Sequence, residues 1–376
     1  MSWIDTTVGE FCPFIYGKGL PKTKRQAGEY PVYGSNGCVD FHNDFYINGP
    51  GIIIGRKGSV GAVHLSTQPF WPIDTAFYVT KGTLGELRFT YYLLKSLGLE
   101  KMNSDSAVPG LNRDNAHALP IRIPELPESR ESLGNQMALL DEKIAANSAV
   151  NQTLEAMAQA IFKSWFVDFD PVKAKMNGEQ PQGMDEATAS LFPEKLVESE
   201  LGLIPEGWEP KQLKDILELA YGKALKKTDR VEGDVPVYGS GGLTGYHNQS
   251  LVEGPGIIVG RKGTVGSVYW EPKAFYPIDT VFYVKPKAGY SLNYCYLTLK
   301  NLGLKNMNTD AAVPGLNRNN AYRLEVVTPS HNVLNKFESI MHSFQSKIDG
   351  NNAESSSLET LRDTLLPKLL SGEVEL

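Results

Sequence analysis

Two stretches of the chain place apolar residues at heptad spacing, which predicts two long helices that each pack against another helix. Both seams are polar in the middle, and a helix of about 32 residues would extend roughly 50 Å, too far for a single small core. We therefore predict a helix pair whose polar positions fix the register; the alternative is that each helix lies on its own domain. The first seam consists of Met137, Leu140, Ile144, Asn147, Asn151, Leu154, Ala158, Ile161 and Trp165. The second consists of Met341, Phe344, Ile348, Asn351, Ser355, Leu358, Arg362, Leu365 and Leu369.

A block of mixed strand and helix patterns precedes each predicted helix. GIIIGRKGSVGAVHL at residues 51–65 predicts two strands around an Arg-Lys-Gly turn, and DTAFYV at residues 74–79 predicts a further strand. Residues 84–99 predict a helix, and PGLNRDNA at residues 109–116 predicts a loop that leads into another short element. GRKGSVG does not match the phosphate-binding glycine motifs, so its glycines predict backbone with φ > 0 and close chain approach in a turn.

This block occurs twice without a gap, 205 residues apart. GPGIIIGRKGSVG returns as GPGIIVGRKGTVG, Tyr16 matches Tyr221 and Arg56 matches Arg261. The repeat defines the order domain, helix, domain, helix. The predicted boundaries are a first domain at residues 1–130, a first helix at 131–168, a linker at 169–206, a second domain at 207–332 and a second helix at 333–376.

The chain has a formal net charge of −6, and its charged residues are unevenly distributed between the repeated blocks and the rest of the chain. Residues 16–125 carry +3 and residues 221–330 carry +5, which leaves −14 for the rest of the chain. Two mildly basic domains joined by acidic segments are compatible with a polyanionic partner, and chance variation of a solvated surface is the alternative.

The order of the segments dictates a geometry. The first helix delivers the chain to the second domain, so a second helix that packs on the first must run antiparallel to it. Equivalent units joined in this way are related by an approximate two-fold axis. The predicted fold class is α+β, with two similar mixed α/β domains separated by two long antiparallel coiled-coil helices and pseudo-two-fold symmetric. Such a protein suits a ligand with its own two-fold symmetry, such as duplex DNA.

Three loop stretches of each domain are candidates for contacting DNA. Arg and Lys in the GRKG turn would hold phosphates or read guanine, Asn and Arg in PGLNR would read adenine and guanine, and the Gly-rich VYGSNG stretch adds polar groups. Ordinary turn residues and satisfied histidines are the alternatives. The first-domain candidates are Ser35, Asn36, His42, Asn43, Arg56, Lys57, Ser59, Asn112 and Arg113. The second-domain candidates are Ser240, His247, Asn248, Arg261, Lys262, Thr264, Asn317 and Arg318.

The sequence lacks the motifs of an enzyme that modifies DNA. The D/N-P-P-Y/F loop of an amino methyltransferase needs two consecutive prolines, and the chain has none. Asp74 and Asp279 follow Pro-Ile without the D/E-x-K of a metal nuclease, so we predict that they cap a turn or pair with the basic surface. With no triad or metal-ligand spacing either, we expect no catalytic residue, metal or cofactor in this chain.

The remaining features concern the cell compartment. The start MSWIDTTVGE has no basic segment followed by an apolar one, and no apolar run approaches the roughly 20 residues that span a bilayer. We therefore expect a cytoplasmic protein without membrane association. Cys12, Cys38 and Cys295 have neither disulfide nor metal-site spacing, and we expect them to be small core residues.

The duplicated phrases YPVYGSNG, GIIIGRKGSVG and PGLN, each followed by a long helix, resemble the target recognition domains of the specificity subunit of type I restriction-modification systems. LGLIPEGWEPKQLKDI and SSSLETLRDTLLPKLLSGEVEL also look like this family's repeated lead-in and terminal helix, so the resemblance covers essentially the whole chain. It implies a non-catalytic subunit in which each domain reads half of a split double-stranded DNA site and the helices set the gap. It also implies two methyltransferase subunits as partners, which supply S-adenosylmethionine and adenine methylation, and restriction subunits with ATP and Mg where the complex includes them.

The two domains are close copies, whereas those of the family are usually dissimilar. We therefore predict half-sites that are the same or nearly so, in inverted orientation. Four differences leave room for one differing base: Asn36 against Gly241, Asp40 against Gly245, Asp114 against Asn319 and His117 against Tyr322.

The helix ends are candidates for docking the partner subunits. These candidates are Phe162, Trp165, Phe166, Leu365 and Leu369. For the aromatic residues, capping the helix pair where it meets the second domain is the alternative. Two other functions compete with the recognition subunit: a self-contained DNA enzyme that acts at phosphate through the GRKG loops, and a protein-binding scaffold.

Overall fold

The computed structural model describes residues 2–102, 110–307 and 315–371. Pro109 and Pro314, which open the two PGLN phrases, lie outside the described residues, as do residues 372–376 of the second predicted helix. The described part combines strands and helices in both repeated domains, as the sequence predicts.

The first domain is built from two small sheets, a strand pair and short helices. The four-stranded antiparallel sheet has the order β2-β8-β5-β6, the three-stranded sheet has the order β4-β3-β7, and β1 pairs with β9. The strands are β1 (Trp3–Thr7), β2 (Ile15–Tyr16), β3 (Tyr30–Gly34), β4 (Gly37–His42), β5 (Gly51–Gly55), β6 (Val63–Ser66), β7 (Trp71–Pro72), β8 (Ala76–Val79) and β9 (Pro120–Pro124). The helices are α1 (Val8–Phe11), α2 (Leu84–Ser96) and α3 (Arg113–His117).

The predicted strands around the GRKG turn and the predicted helix are confirmed. Strand β5 is buried at all five positions because it lies between β8 and β6, with Ile52 and Ile54 in one apolar cluster and Ile53 in another. The helix predicted at residues 84–99 is α2, which Thr83 caps by accepting from the Glu86 N–H. Gly61 has φ +72°, and a Cβ there would lie 2.2 Å from the Leu99 carbonyl carbon, so this turn requires glycine as predicted.

Helix α4 (Pro127–Phe166) follows the first domain and starts four residues before the predicted position. Arg130 holds this start, donating through Nη1 to the Pro124 carbonyl (2.7 Å) and through Nη2 to Glu86 Oε1 (2.7 Å). The ion pair is largely buried, which fixes α4 against α2.

The segment predicted as a linker, residues 169–206, is folded. Its apolar residues Phe169, Val172 and Phe192 are buried beside Phe166 and Trp208, so the domain-two core extends into it. Describing it as a linker was wrong, because its buried apolar side chains complete a core. Its elements are α5 (Asp170–Met176), α6 (Glu186–Ala189), β10 (Leu196–Ser199) and β11 (Gly202–Pro205).

The second domain repeats the first in element order and sheet order. Its sheets have the orders β13-β19-β16-β17 and β15-β14-β18, and β12 pairs with β20. The strands are β12 (Glu209–Gln212), β13 (Leu217–Tyr221), β14 (Val235–Gly239), β15 (Gly242–His247), β16 (Gly256–Gly260), β17 (Val268–Glu271), β18 (Tyr276–Pro277), β19 (Val281–Pro286) and β20 (Glu325–Thr328). The helices are α7 (Leu213–Ile216), α8 (Leu292–Asn301) and α9 (Arg318–Tyr322), followed by the second long helix, α10 (His331–Ser371).

Each long helix contributes one half to each of two compact units. Unit 1 consists of Met1–Ser148 and Asn352–Leu376, and unit 2 consists of Ala149–Asn351. The unit boundaries therefore fall within α4 and α10 rather than at the ends of the predicted domains, because each half-helix packs on the domain of its own unit.

The helices run antiparallel within each unit. In unit 1, Arg362 Nη1 lies 2.6 Å from Asp141 Oδ1, and Asn147 Nδ2 donates to Ser355 Oγ at 3.3 Å. The contacting residue in α4 therefore advances from 141 to 147 while its partner in α10 goes back from 362 to 355, as antiparallel helices require. None of the described heptad seam residues is exposed, which confirms the predicted seams.

In unit 2, Asn351 Nδ2 donates to Asn151 Oδ1 at 2.8 Å, and the rings of Phe166 and Phe337 are 4.8 Å apart, the same antiparallel order. The mixed domains and the long helices of the predicted fold class are confirmed. The two-fold relation of the whole molecule stays a prediction.

The five residues predicted to dock partner subunits lie in the interiors of their own units. Phe162, Trp165 and Phe166 are at most 6% exposed and pack around Phe337, which supports the alternative that they join α4 to the second domain. Leu369 is 2% exposed and Leu365 is partly buried, both against the first-domain core. The docking prediction for these residues was wrong, because each helix end faces its own domain.

Two smaller predictions can be compared with the structure. Cys12 and Cys295 are buried, but Cys38 is exposed on the edge strand β4, so the expectation of a core residue was wrong there. Within the described ranges, no helix combines the length and apolarity needed to cross a membrane.

Candidate nucleic-acid interface

Main-chain and side-chain contacts bring three candidate stretches of the first domain together. The Leu111 N–H donates to the Arg56 carbonyl at 2.8 Å, and Lys57 pairs with Gly110 in an isolated antiparallel bridge. The Ser59 hydroxyl donates to Asn36 Oδ1 at 3.2 Å, which ties the β3–β4 turn to the GRKG loop.

The second domain assembles its equivalent loops in the same way. The Leu316 N–H donates to the Arg261 carbonyl at 2.8 Å, and Lys262 pairs with Gly315. The Ser267 hydroxyl donates to the Ser240 carbonyl at 2.7 Å, so the β14–β15 turn again lies against the GRKG loop. Residues from Asn36 to Leu111 in the first domain, and from Ser240 to Leu316 in the second, are thus brought together in one region of each domain.

In each domain, an exposed tyrosine ring contacts the guanidinium groups of two arginines. In the first domain the Arg56 and Arg113 guanidinium carbons are 5.0 and 5.1 Å from the centre of the Tyr16 ring, and Tyr16 is 46% exposed. In the second domain, Arg261 and Arg318 are 4.8 and 4.7 Å from the ring of Tyr221, which is 48% exposed. We call these sets the arginine–tyrosine clusters.

The first arginine of each cluster is anchored to its own domain. The Arg56 and Lys57 N–H groups both donate to the Thr75 carbonyl, and Arg56 Nη1 donates to the Asp74 carbonyl at 3.0 Å. Arg261 makes the same 2.9 Å contact with the Asp279 carbonyl. These contacts use the main-chain carbonyls of Asp74 and Asp279, so the predicted pairing of the aspartate side chains with the basic surface stays a prediction. Because the carbonyl and the tyrosine ring already restrict the guanidinium, this group loses little conformational entropy when it binds an anion.

The two clusters differ in charge. Among the described residues, no carboxylate lies within 4 Å of a charged nitrogen of Arg56, Arg261 or Arg318, but Asp114 Oδ1 is 3.6 Å from Arg113 Nε. Asparagine replaces this aspartate at position 319 of the second domain. The second cluster therefore presents more net positive charge.

Asn112 and Asn317 each cap a short helix. The Asn112 Oδ1 atom accepts from the N–H groups of Asp114 and Asn115 at the start of α3, and Asn317 does the same for Asn319 and Asn320. This contact supports the turn-residue alternative for both asparagines, and it places Arg113 and Arg318 at the first position of their helices.

His42 and His247, at the ends of β4 and β15, are not part of the arginine–tyrosine clusters. His42 is 7% exposed, and its Nδ1 accepts from the Gln26 N–H at 3.0 Å. His247 is 6% exposed and accepts from the Val231 N–H. Both rings hold a neighbouring loop inside the domain, so their prediction as DNA contacts was wrong for a physical reason, burial. Asn43 and Asn248 are exposed beside them.

His117 and Tyr322, one of the four pairs that differ between the domains, make equivalent hydrogen bonds within their domains. His117 Nε2 accepts from the Phe14 N–H at 2.8 Å, and the Tyr322 hydroxyl accepts from the equivalent Leu219 N–H at 2.9 Å. Burial lowers the pKa of His117, and the nearby Arg113 guanidinium lowers it further. The neutral ring that this contact requires is therefore favoured.

Sequence reasoning missed the tyrosines and a basic loop beside them. Lys18 Nζ lies 5.1 Å from the Tyr46 ring and 5.7 Å from the Trp71 ring, and Trp71 Nε1 donates to the Lys18 carbonyl. Lysines and arginines recur through GKGLPKTKR and GKALKKTDR, directly after the cluster tyrosines. That repeated basic run was the signal available in the sequence.

These surfaces offer cationic and aromatic groups rather than the groups of a metal centre. The described residues contain no set of three or more His, Cys, Asp or Glu placed to hold a metal ion. Planar guanidiniums over an exposed ring suit phosphate oxygens and base edges.

The family comparison gives the class of protein that this duplicated architecture belongs to. The family model for the type I restriction modification DNA specificity domain matches residues 2–156 and 205–360, once for each repeat. The chain therefore belongs to this family and is a specificity subunit of a type I restriction-modification system, which confirms the resemblance and the expectation of a recognition subunit rather than an enzyme.

Individual relatives agree with this assignment. The chain is 28% identical over 328 residues to the type I restriction enzyme HindI specificity subunit of Haemophilus influenzae, with 71% of each chain covered. It is 25% identical over 316 residues to the MjaIX specificity subunit of Methanocaldococcus jannaschii, covering 76% of this chain and 68% of that protein. The crystal structure of the type I restriction-modification S subunit from M. genitalium matches with a TM-score of 0.65 at 21% identity, covering 98% of this chain and 96% of that one, and it supports the fold.

Proposed function

We propose that this specificity subunit reads a split site in double-stranded DNA, with one half-site for each domain. The observation that carries the proposal is the duplicated arginine–tyrosine cluster, in which two guanidiniums contact one exposed ring at the meeting point of the loops. Arginine is the side chain best suited to bidentate recognition of phosphate and guanine, and an exposed ring adds a stacking surface.

Both half-sites are the same or nearly so and are read in inverted orientation. The support is the similarity of the clusters, which place the same residue types at matching ring distances in both domains. The antiparallel helix halves in each unit support a gap of fixed length between the half-sites.

The subunit acts within a complex. Two methyltransferase subunits, docked on surfaces other than the buried helix-end residues, supply S-adenosylmethionine and methylate adenine in the site. Restriction subunits, where present, supply ATP and Mg for cleavage. Because the chain carries a net charge of −6, the isolated subunit binds DNA weakly and its partners add to the affinity.

The test is to map methylated adenines by single-molecule sequencing in cells with and without this gene. The expected result is an interrupted motif with two related, inverted half-sites that disappears when the gene is deleted. An unchanged methylation pattern would contradict DNA recognition and favour the scaffold function. Two unrelated half-sites would contradict the proposed symmetry alone.

A further inference from the structure

Two groups can be distinguished among the differences between the two domains near the cluster. In the first group, different side chains make the same internal contact. His117 and Tyr322 both accept a main-chain N–H. At the position equivalent to His64, the Tyr269 hydroxyl donates to the Ser240 carbonyl at 3.3 Å, and His64 itself lies near the equivalent main chain of Ser35. These pairs leave the supporting structure of the loops unchanged.

At the pair Asp40 and Gly245, the exposed Asp40 carboxylate is occupied by an arginine of its own domain. Asp40 Oδ2 forms an ion pair with Arg25 Nη1 at 3.0 Å, and this contact lowers the pKa of the carboxyl group. In the second domain the equivalent Arg230 donates instead to the Thr244 carbonyl and hydroxyl. Each arginine is held by its own domain.

The second group is uncompensated and lies at the cluster. Asn36 is exposed at the tip of the β3–β4 turn, and its Oδ1 is occupied by the Ser59 hydroxyl, so the amide NH₂ is the part that can donate to a ligand. Gly241 has no side chain at the equivalent position. A Cβ there would meet Thr264 Oγ1 at 3.8 Å, and its φ is not left-handed, so an asparagine would fit.

Asp114 and Asn319 form the second uncompensated pair. The Asp114 side chain is 84% exposed, and the Asn112 cap holds its backbone at the start of α3. A carboxylate can only accept a hydrogen bond and suits the amino group of cytosine, whereas an amide both donates and accepts and suits adenine. Asp114 is next to Arg113 of the cluster, and Asn36 contacts Ser59 in the loop that also carries Arg56.

We infer that Asn36 and Asp114, against Gly241 and Asn319, determine the base pairs at which the two half-sites differ. This inference rests on the proposed function. The shared arginines read the bases common to both half-sites, and the presence of Asn36, its absence at Gly241, and the exchange of Asp114 for Asn319 determine the rest. The two half-sites are then alike except at one or two base pairs. Replacing these residues of one domain with those of the other should change its half-site to that of the other domain.

The experiment uses the whole complex, expressed with its methyltransferase partner in cells that lack other methylation, and maps methylated motifs. Wild type should give half-sites that differ at one or two base pairs. Asn36→Gly with Asp114→Asn should give two copies of the second half-site, with methylation of the original motif reduced about 10-fold or more. Gly241→Asn with Asn319→Asp should give two copies of the first.

His117→Tyr is the matched control, because it exchanges a domain difference that makes the same internal contact, and its motif should equal that of wild type. An unchanged motif in both double variants, a changed motif in the control, or wild-type half-sites that are already identical would each overturn the inference. If one double variant does not fold, methylation is lost altogether. The other double variant, which makes the opposite exchange, then tests the inference. If wild type methylates no specific motif, the proposed function fails as well.

Discussion

The two domains of this protein make the same contacts with different side chains beneath their loops, but not at the loop tips. The Phe14 and Leu219 N–H groups find an acceptor in histidine in one domain and in tyrosine in the other. At the tip of the β3–β4 turn, Asn36 of the first domain corresponds to Gly241 of the second domain, so the second domain has no side chain at this position. The comparison teaches that sequence divergence alone is a poor guide to recognition, because only uncompensated differences change what a ligand meets.

The helix pair shows a second contrast, between its polar and apolar halves. In unit 1, Arg362 and the Tyr92 hydroxyl both bind Asp141 between the helices and the domain. In unit 2, Ala158 occupies the seam position equivalent to Arg362, and the aromatic cluster around Phe337 supplies the packing. Unit 1 therefore depends more on charge in this region, and unit 2 depends more on apolar burial.

The largest expected effect comes from removing both anchored arginines. Arg56→Ala combined with Arg261→Ala should reduce specific DNA binding of the assembled complex by at least about 30-fold, because each bidentate contact contributes roughly 1–3 kcal/mol. Fluorescence anisotropy at fixed salt measures this. Arg122→Ala, which removes an exposed arginine from β9, controls for the loss of charge and should change affinity little. Equal losses in the control would refute a specific role for the clusters.

The next effect concerns stability and should be confined to unit 1. Arg362→Ala should reduce the free energy of unfolding of unit 1 by about 1–3 kcal/mol, because Asp141 loses its cationic partner in a partly buried site. Peptide-resolved hydrogen exchange in urea can report each unit separately. Ala158→Gly is a matched control at the equivalent position of unit 2. Loss of protection in both units after Arg362→Ala would show that the contrast between the halves is wrong.

The ring that contacts both arginines should matter more than its hydroxyl. Tyr16→Ala should weaken DNA binding about 5- to 30-fold, because two cation–π contacts of roughly 0.5–1 kcal/mol each are lost. Tyr16→Phe should bind within about twofold of wild type, since the ring remains. The same two substitutions at Tyr221 test the second domain. A phenylalanine variant as weak as the alanine variant would point to a hydroxyl contact instead.

The smallest effect is a selective response of the first domain to acid. Burial lowers the pKa of both His64 and His117 below the 6.5 of a free histidine, and tyrosines replace them in the second domain. The unfolded chain then binds more protons below pH 6.5, so this contribution is complete above that pH and is lost as the pH falls. Both histidines are only partly buried, so the change should be under about 1 kcal/mol.

Hydrogen exchange of strand β5, compared with β16 at about pH 5.5 and about pH 7.5, measures this difference, since GIIIG and GIIVG have similar intrinsic exchange rates. His117→Tyr with His64→Tyr should remove the difference. Equal acid sensitivity of both strands in wild type would argue against the histidines as its cause.

Periodicity and repetition in the sequence predicted the heptad seams, the GRKG strands and the order of domains, because these patterns can be recognised in the sequence without knowledge of tertiary contacts. The folded nature of residues 169–206 was not predictable in this way, since Phe169 and Phe192 become core residues through contacts with the distant Trp208. The candidate arginines were found by residue type. Tyr16 was not, because its role depends on Arg56 and Arg113 approaching from positions 40 and 97 residues further along the chain. His42 was chosen by type as well, and its burial depends on the tertiary structure.

The packing of Leu369 into the first-domain core has a consequence for synthesis on the ribosome. The first domain is made early, yet part of its interior is supplied by a segment translated more than 200 residues later. A stop codon shortly before Leu365 would therefore remove apolar side chains from the core of the first domain, which is made earlier, and leave the core of the second domain complete. Quality control by proteases would then act first at the N-terminal domain.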